Sequence, residues 1–191
     1  MSFHRFGPSL VFLGMASAAL LGFSSSAQAA DRGPRFLGSL HGGAATEGGG
    51  GVTAEVRLFG SVCAGASFDL GQNFVGTHGA YNYMAPSVHG SYGIRLADIF
   101  ELRPFFGARF HLNLEAKNAE YKISEHGAVA FTTALRASFF IDWFVIGLQG
   151  EFTPHGVTWQ ELATNKTESK TEYLIRASLV LGVALGPDVS R

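Results

Sequence analysis

The sequence predicts an all-β fold, an eight-stranded antiparallel up-and-down transmembrane β-barrel. Three observations predict it. First, residues 102–115 alternate with a period of two, the mark of a β-strand. One face reads Leu102, Pro104, Phe106, Ala108, Phe110, Leu112, Leu114; the other reads Arg103, Phe105, Gly107, Arg109, His111, Asn113, Glu115. Strands in soluble proteins run about 5–6 residues, whereas one that crosses a bilayer needs roughly 9–11. Second, similar segments recur along the chain to an even count of eight. Third, short and long connections follow one another in turn, as in barrels with short turns at one end and loops at the other.

The segments are read in order at 35–45, 51–59, 61–71, 81–96, 102–115, 128–141, 143–153 and 172–186. Gly38, Gly42 and Gly43 blur the first, and a loop with a glycine tip at Gly48–Gly51 follows it. In the second, Val52, Val56 and Leu58 oppose Glu55 and Arg57. The third turns Cys63 inward with Gly65 and Ser67, and the fourth turns Ser87 and His89 inward against Val88, Tyr92 and Ile94. Pro86 predicts a bulge there, because a proline cannot donate to a ladder; Pro104 sits near a strand start, where it is tolerated. The sixth opposes Val129, Phe131, Leu135, Phe139 and Ile141 to Thr132, Arg136 and Ser138. The seventh opposes Phe144, Ile146, Leu148 and Phe152 to Gln149 and Glu151. The eighth opposes Tyr173, Ile175, Ala177, Leu179, Leu181, Val183 and Leu185 to Glu172, Arg176, Ser178, Gly182 and Ala184.

The connections after the second, fourth and sixth strands are short, at 60–61, 97–101 and 142; those at 46–50, 72–80, 116–127 and 154–171 are longer and polar. Aromatic residues predict two girdles at the membrane interfaces. Phe100, Phe139, Trp143 and Phe144 fall near the short turns, and Tyr81, Tyr83, Phe152, Trp159 and Tyr173 near the long loops.

Residues 1–29 read as a secretory signal peptide, with Arg5 as the basic start, an apolar stretch over 10–23 and an Ala27-Gln28-Ala29 cleavage site. The expected organisation is a signal peptide at 1–29, a linker at 30–34, the barrel at 35–186 and a periplasmic tail at 187–191. Without Arg5 the 14 Lys and Arg become 13, against 15 Asp and Glu, and nothing in that balance suggests a nucleic-acid partner. Cys63 is the only cysteine, so no intrachain disulfide is possible. No apolar run after residue 29 reaches the length of a membrane helix.

By its pattern over residues 34–186 the chain resembles the small eight-stranded outer-membrane barrels, the type of outer membrane proteins A and X. The resemblance rests on alternation and turn lengths, not on a signature motif. Such barrels usually end on an aromatic residue, and here 179–185 carries none. The resemblance implies a porin-like barrel in the outer membrane of a Gram-negative cell, with both chain ends on the periplasmic side. It implies contact with outer-membrane lipids and with the barrel assembly machinery during insertion; it names no extracellular partner.

With the polar face inside, the lumen is expected to hold Glu55, Asp69, Glu115, Glu151 and Glu172 with Arg57, Arg95, Arg103, Arg109, Arg136 and Arg176. A lumen this narrow is filled by side chains, and a lone buried ion costs several kcal/mol, so the charges should pair. The charge network is assigned to Glu55, Arg57, Arg109, Arg136, Glu151 and Arg176, with Glu151 lying between Arg109 and Arg136. The expected function is a structural barrel displaying its loops, its lumen filled by this network. The alternatives are a small channel for ions or hydrophobic molecules and a lipid A-modifying enzyme. A soluble, lipocalin-like barrel would reverse the faces, with an apolar core around a ligand.

His89-Gly90-Ser91 is similar to the His-x-Ser pair of lipid A deacylases, which would make His89 the base and Ser91 the nucleophile. In that family the pair faces lipid and an asparagine follows the serine; here His89 reads as inward and Tyr92 follows. No catalytic residue is therefore assigned, and no enzyme activity is expected. His41, His78, His111, His126 and His155 show no zinc-ligand spacing, so no metal or other cofactor is expected.

Overall fold

A computed structural model describes residues 35–186, apart from 117, 125, 126 and the side chain of Glu115. The segments read as signal peptide, linker and tail lie outside the described residues. Ten strands follow one another: β1 (Phe36–Ala45), β2 (Glu47–Phe59), β3 (Val62–Asn73), β4 (Tyr81–Tyr92), β5 (Ile94–Ala97), β6 (Phe100–Ala116), β7 (Tyr121–Ile123), β8 (Gly127–Ile141), β9 (Phe144–Glu161) and β10 (Thr167–Leu185). Eight of them close a barrel in the order β1, β2, β3, β4, β6, β8, β9, β10, each antiparallel to the next. β10 returns to β1, with pairs from Phe36↔Leu185 to Ala45↔Arg176. β5 extends β4 along β6, and β7 adds to the loop end of β9.

Alternation along each strand decides which side chains fill the interior. Phe106, Phe110, Leu135, Ile146, Leu148, Leu179 and Leu181 all stand on the outside, with Leu148 67% exposed. Arg103, Arg109, Arg136 and Arg176 are buried inside. The faces are those of a polar lumen within an apolar wall, so the lipocalin-like arrangement does not hold. Among the described side chains, the outward positions of the wall strands carry no charged residue.

Four expectations are corrected. The connection at 46–50 is Thr46 alone, because the glycines at 48–51 belong to β2, where Gly50 pairs Gly42 on β1 and Leu70 on β3. Their backbones approach the neighbours too closely for a side chain: a Cβ on the inward Gly49 would strike the Leu70 carbonyl. The expected loop 154–171 shrinks to 162–166, since β9 and β10 run on as a long hairpin past the wall. The fourth segment breaks at Gly93 into β4 and β5. The bulge expected at Pro86 lies elsewhere, at Asn82/Tyr83, where the register with β6 slips across Leu114. Both prolines still interrupt the ladder: no pair with β6 forms at Ala85 or Pro86, and Pro104 falls opposite the break between β4 and β5. An absent N–H is harmless where the partner strand makes no bond.

Candidate functional site: the barrel lumen

The lumen is built in four levels from the short turns to the long loops. Leu37, Phe140, Val145 and Ala184 form an apolar floor, with the Arg95 guanidinium 4.7 Å over the Phe140 ring. They come from the turn ends of the neighbouring strands β8, β9, β10 and β1, so the floor lies along one half of the wall.

A first charged level lies above it. Glu55 of β2 takes Arg136 at 2.9 Å through one oxygen and Arg103 at 3.1 Å through the other. Arg103 also holds Glu101 at 2.6 Å, and Ser91 donates its hydroxyl to Glu55 at 2.8 Å. Arg136 donates Nε to Gln149 at 3.0 Å and lies 4.5 Å over the Phe105 ring. Two arginines thus face two glutamates, with polar and aromatic neighbours around them. His89 stands beside this level, its Nε2 3.9 Å from Glu55. It fits because its neighbours on both sides are glycines: Gly65 on β3 and Gly107 on β6 pair with it.

The second charged level gathers side chains from seven strands. Arg176 of β10 reaches Asp69 of β3 at 2.6 Å and Glu151 of β9 at 2.7 Å. Arg109 of β6 pairs with the other oxygen of Glu151 and lies 3.7 Å from Asp69. Glu47 of β2 sits 3.8 Å from both arginines and accepts the Tyr83 hydroxyl. His41 of β1 places Nε2 2.7 Å from Asp69; the carboxylate can only accept, so that nitrogen carries a proton.

An aromatic and carboxylate level closes the outer end. Glu172 is held by neutral donors: Asn73 at 2.8 Å, Tyr81 at 2.9 Å, the Thr77 backbone N–H at 2.9 Å and Trp159 at 3.2 Å. Tyr81 gives its only proton to Glu172 and accepts from Asn73, so its 2.8 Å contact with His155 assigns the imidazole proton to Nε2. His155 stacks on His111 with centroids 4.5 Å apart. Tyr81, Trp159, Val157 and Ile123 pack into one buried cluster. The loop after β3 folds over this level, where His78 stacks on Tyr121 at 3.9 Å and bonds Glu168 at 3.2 Å.

The expected network residues are thus divided between levels. Glu55 and Arg136 meet in the first, and Arg109, Glu151 and Arg176 in the second. Arg57 is half-buried on the inner face of β2, near the turn. The expected trio of Arg109, Arg136 and Glu151 does not form. The register places Arg136 opposite Gln149 and Ala134 opposite Glu151, so the second cation on Glu151 is Arg176. Glu115 pairs Asn82 through its backbone, past the slip at Leu114, and its side chain lies outside those described. Of the loop-side girdle, Tyr81, Tyr83 and Trp159 are corrected: all three are buried in the lumen, while Phe152 and Tyr173 stack outside at 6.0 Å. Their odd positions on β4 match those of Ser87 and His89, so parity alone places Tyr81 and Tyr83 inside. Glu47 was hidden by the glycines that follow it.

His89 and Ser91 both face the lumen, with the Ser91 hydroxyl given to Glu55. Among the described residues, no group of three or more His, Cys, Asp or Glu side chains is placed to hold a metal ion. Cys63 is buried, without a disulfide, and its thiol lies 3.9 Å from the Ser61 carbonyl oxygen that accepts from it. No protein-family model matches the chain, and neither does any curated protein.

Proposed function

We propose that this chain is a structural outer-membrane barrel that holds its long-loop end outward and conducts little. One observation carries the reading: an uncharged apolar wall surrounds a polar lumen. Soluble monomers rarely expose a contiguous apolar patch beyond a few hundred Å². Here exposed apolar side chains encircle the barrel, from Val52 and Leu70 through Val88, Phe106, Phe131, Leu148 and Leu181 to Leu40. Hydrocarbon is the solvent that suits such a wall.

The resemblance to barrels of the outer membrane protein A and X type supports placing it in an outer membrane, and the leader read over residues 1–29 supports export. Lipid and the assembly machinery are then its partners. The four filled levels favour a plug over a channel. The inward turn of His89 and Ser91, away from any lipid substrate, favours a non-enzymatic role.

The deciding experiment is gel migration of outer-membrane fractions with and without boiling. The unheated protein is expected in that fraction and to run faster than the boiled form. Recovery as a soluble periplasmic protein with no heat shift would end the reading. Steady unit conductance in a planar bilayer would replace the plug with a channel. Loss of a modified lipid A species in His89→Ala, seen by mass spectrometry, would replace it with an enzyme.

A further inference from the structure

Turn tips are usually built of Gly, Pro, Asn, Asp and Ser. The three short turns of this barrel keep Gly60-Ser61, Asp98 and Asp142, but surround them with large apolar side chains. Leu58, Phe59, Leu96, Ile99, Ile141 and Trp143 stand at or beside their tips, each between 58% and 69% exposed. The backbone aims several of them sideways. The β2–β3 ladder slips across Leu58, so Phe59 falls opposite Val62 on the outer face. The β5–β6 ladder slips across Leu96, so Ala97 falls opposite Phe100 on the outer face. In the third turn Asp142 takes φ 53°, and the Trp143 ring meets the outward Phe144 edge-on at 6.4 Å. The apolar tips therefore continue the outer wall around its lower circumference.

We propose that this rim is a lipid-binding surface, with the short turns sunk to headgroup level in the leaflet on their side. The proposal rests on the membrane reading above and adds where the lower boundary falls. The upper boundary is marked by outward polar residues: Gln72 on β3, Asn82 on β4 and Thr171 on β10. Below Thr171, the outward residues of β10 stay uncharged and apolar from Tyr173 to Leu185. At about 3.4 Å per residue and a tilt of about 40°, that run rises roughly 30 Å, against an apolar band of about 25 Å. The surplus carries the lower end through the hydrocarbon into the headgroup layer. Asp98 and Asp142, both exposed at the tips, stop it from going deeper, because a charge in hydrocarbon is costly. An indole sits well at that level, with its ring in the chains and its N–H among headgroups. A protein docking end-on would instead meet Asp98, Asp142 and the exposed Arg35.

The chain has two tryptophans, and Trp159 is 1% exposed inside the lumen. The fluorescence of Trp143 is read as the difference between the unaltered protein and Trp143→Phe, which leaves Trp159 untouched. Both proteins are inserted into phosphatidylcholine vesicles brominated either near the headgroup end or near the methyl end of the chains. Leu148→Trp in the Trp143→Phe background reports the middle of the wall. Trp143 is expected to lose most intensity with the shallow bromines and little to acrylamide in the water, whereas Trp at 148 loses most with the deep bromines. Strong acrylamide quenching of Trp143 without bromine quenching, while the mid-wall reporter is still quenched by bromine, overturns the rim and leaves the membrane reading standing. If neither reporter responds to brominated lipid, both fall.

Discussion

Arg176 on β10 holds Asp69 on β3 at 2.6 Å across the lumen, although the two residues are 107 positions apart in the chain. The same Nη2 bonds Glu151 at 2.7 Å, so one guanidinium neutralises carboxylates from two walls. Arg176→Met leaves both acids buried with Arg109 alone between them. The expected loss is about 3–5 kcal/mol, the usual penalty for stranding a buried charge. A urea unfolding curve in detergent micelles reads it, and an unchanged midpoint would mean that the level is hydrated enough to dispense with the pair.

Among the described residues, the two charged levels share no direct ion pair. Glu55→Gln takes the paired carboxylate from Arg136 and leaves Arg103 to Glu101, whereas Glu151→Gln leaves Arg109 only the longer contacts with Asp69 and Glu47 and weakens the hold on Arg176. Each is expected to destabilise the barrel, and the double substitution to cost the sum of the singles within about 0.5 kcal/mol. A larger coupling energy in the same unfolding assay would show one network instead of two.

Leu148 stands outward and 67% exposed on β9, opposite Leu179 at the centre of the apolar run of β10. Under the proposed placement, Leu148→Arg is expected to cost about 2–4 kcal/mol in lipid. Thr171→Arg, above the apolar run of β10, is expected to be nearly neutral. Equal refolding yields of the two variants in lipid vesicles would argue against a bilayer around the wall.

Glycines supply a sharper geometric test. An added Cβ at Gly107 would lie 2.7 Å from the His89 Cβ and press on the Val88 carbonyl, whereas nothing lies within 4 Å of one at Gly150. Gly107→Ala is therefore expected to destabilise by about 1–3 kcal/mol and Gly150→Ala to be tolerated. A thermal melt of the two variants side by side checks the order.

The faces of the wall were legible because outward-facing and lumen-facing residues differ most in polarity there. Arg109 against Phe110, or Arg176 against Ile175, leaves no doubt about the side. Beyond the apolar wall the contrast reverses or fades. On β9, Val157 and Trp159 point in while Thr158 and Gln160 do not; on β10, residues 167–171 are polar at every position. A search for apolar-out alternation consequently stops at residue 153 and resumes at 172, turning one hairpin into a loop. Glu47 was illegible for another reason: the glycines at 48–51 have no side chains to alternate. The partner of Arg136 depended on register between strands, and a period within one strand says nothing of that.

The seam between β1 and β10 sets an order of events. Its pairs join residues 36–45 to 176–185, so the ring cannot shut until β10 is in place. Arg176 arrives with that last strand. Before the seam forms, Asp69 and Glu151 lack their principal cation, and an open sheet carrying them is at ease only with water along one face. Folding is therefore expected to end in a single step that zips the backbone and discharges the interior together. A slow, late, cooperative phase is the expected kinetic signature, and it is one that removing Arg176 would delay far more than removing any one leucine of the wall.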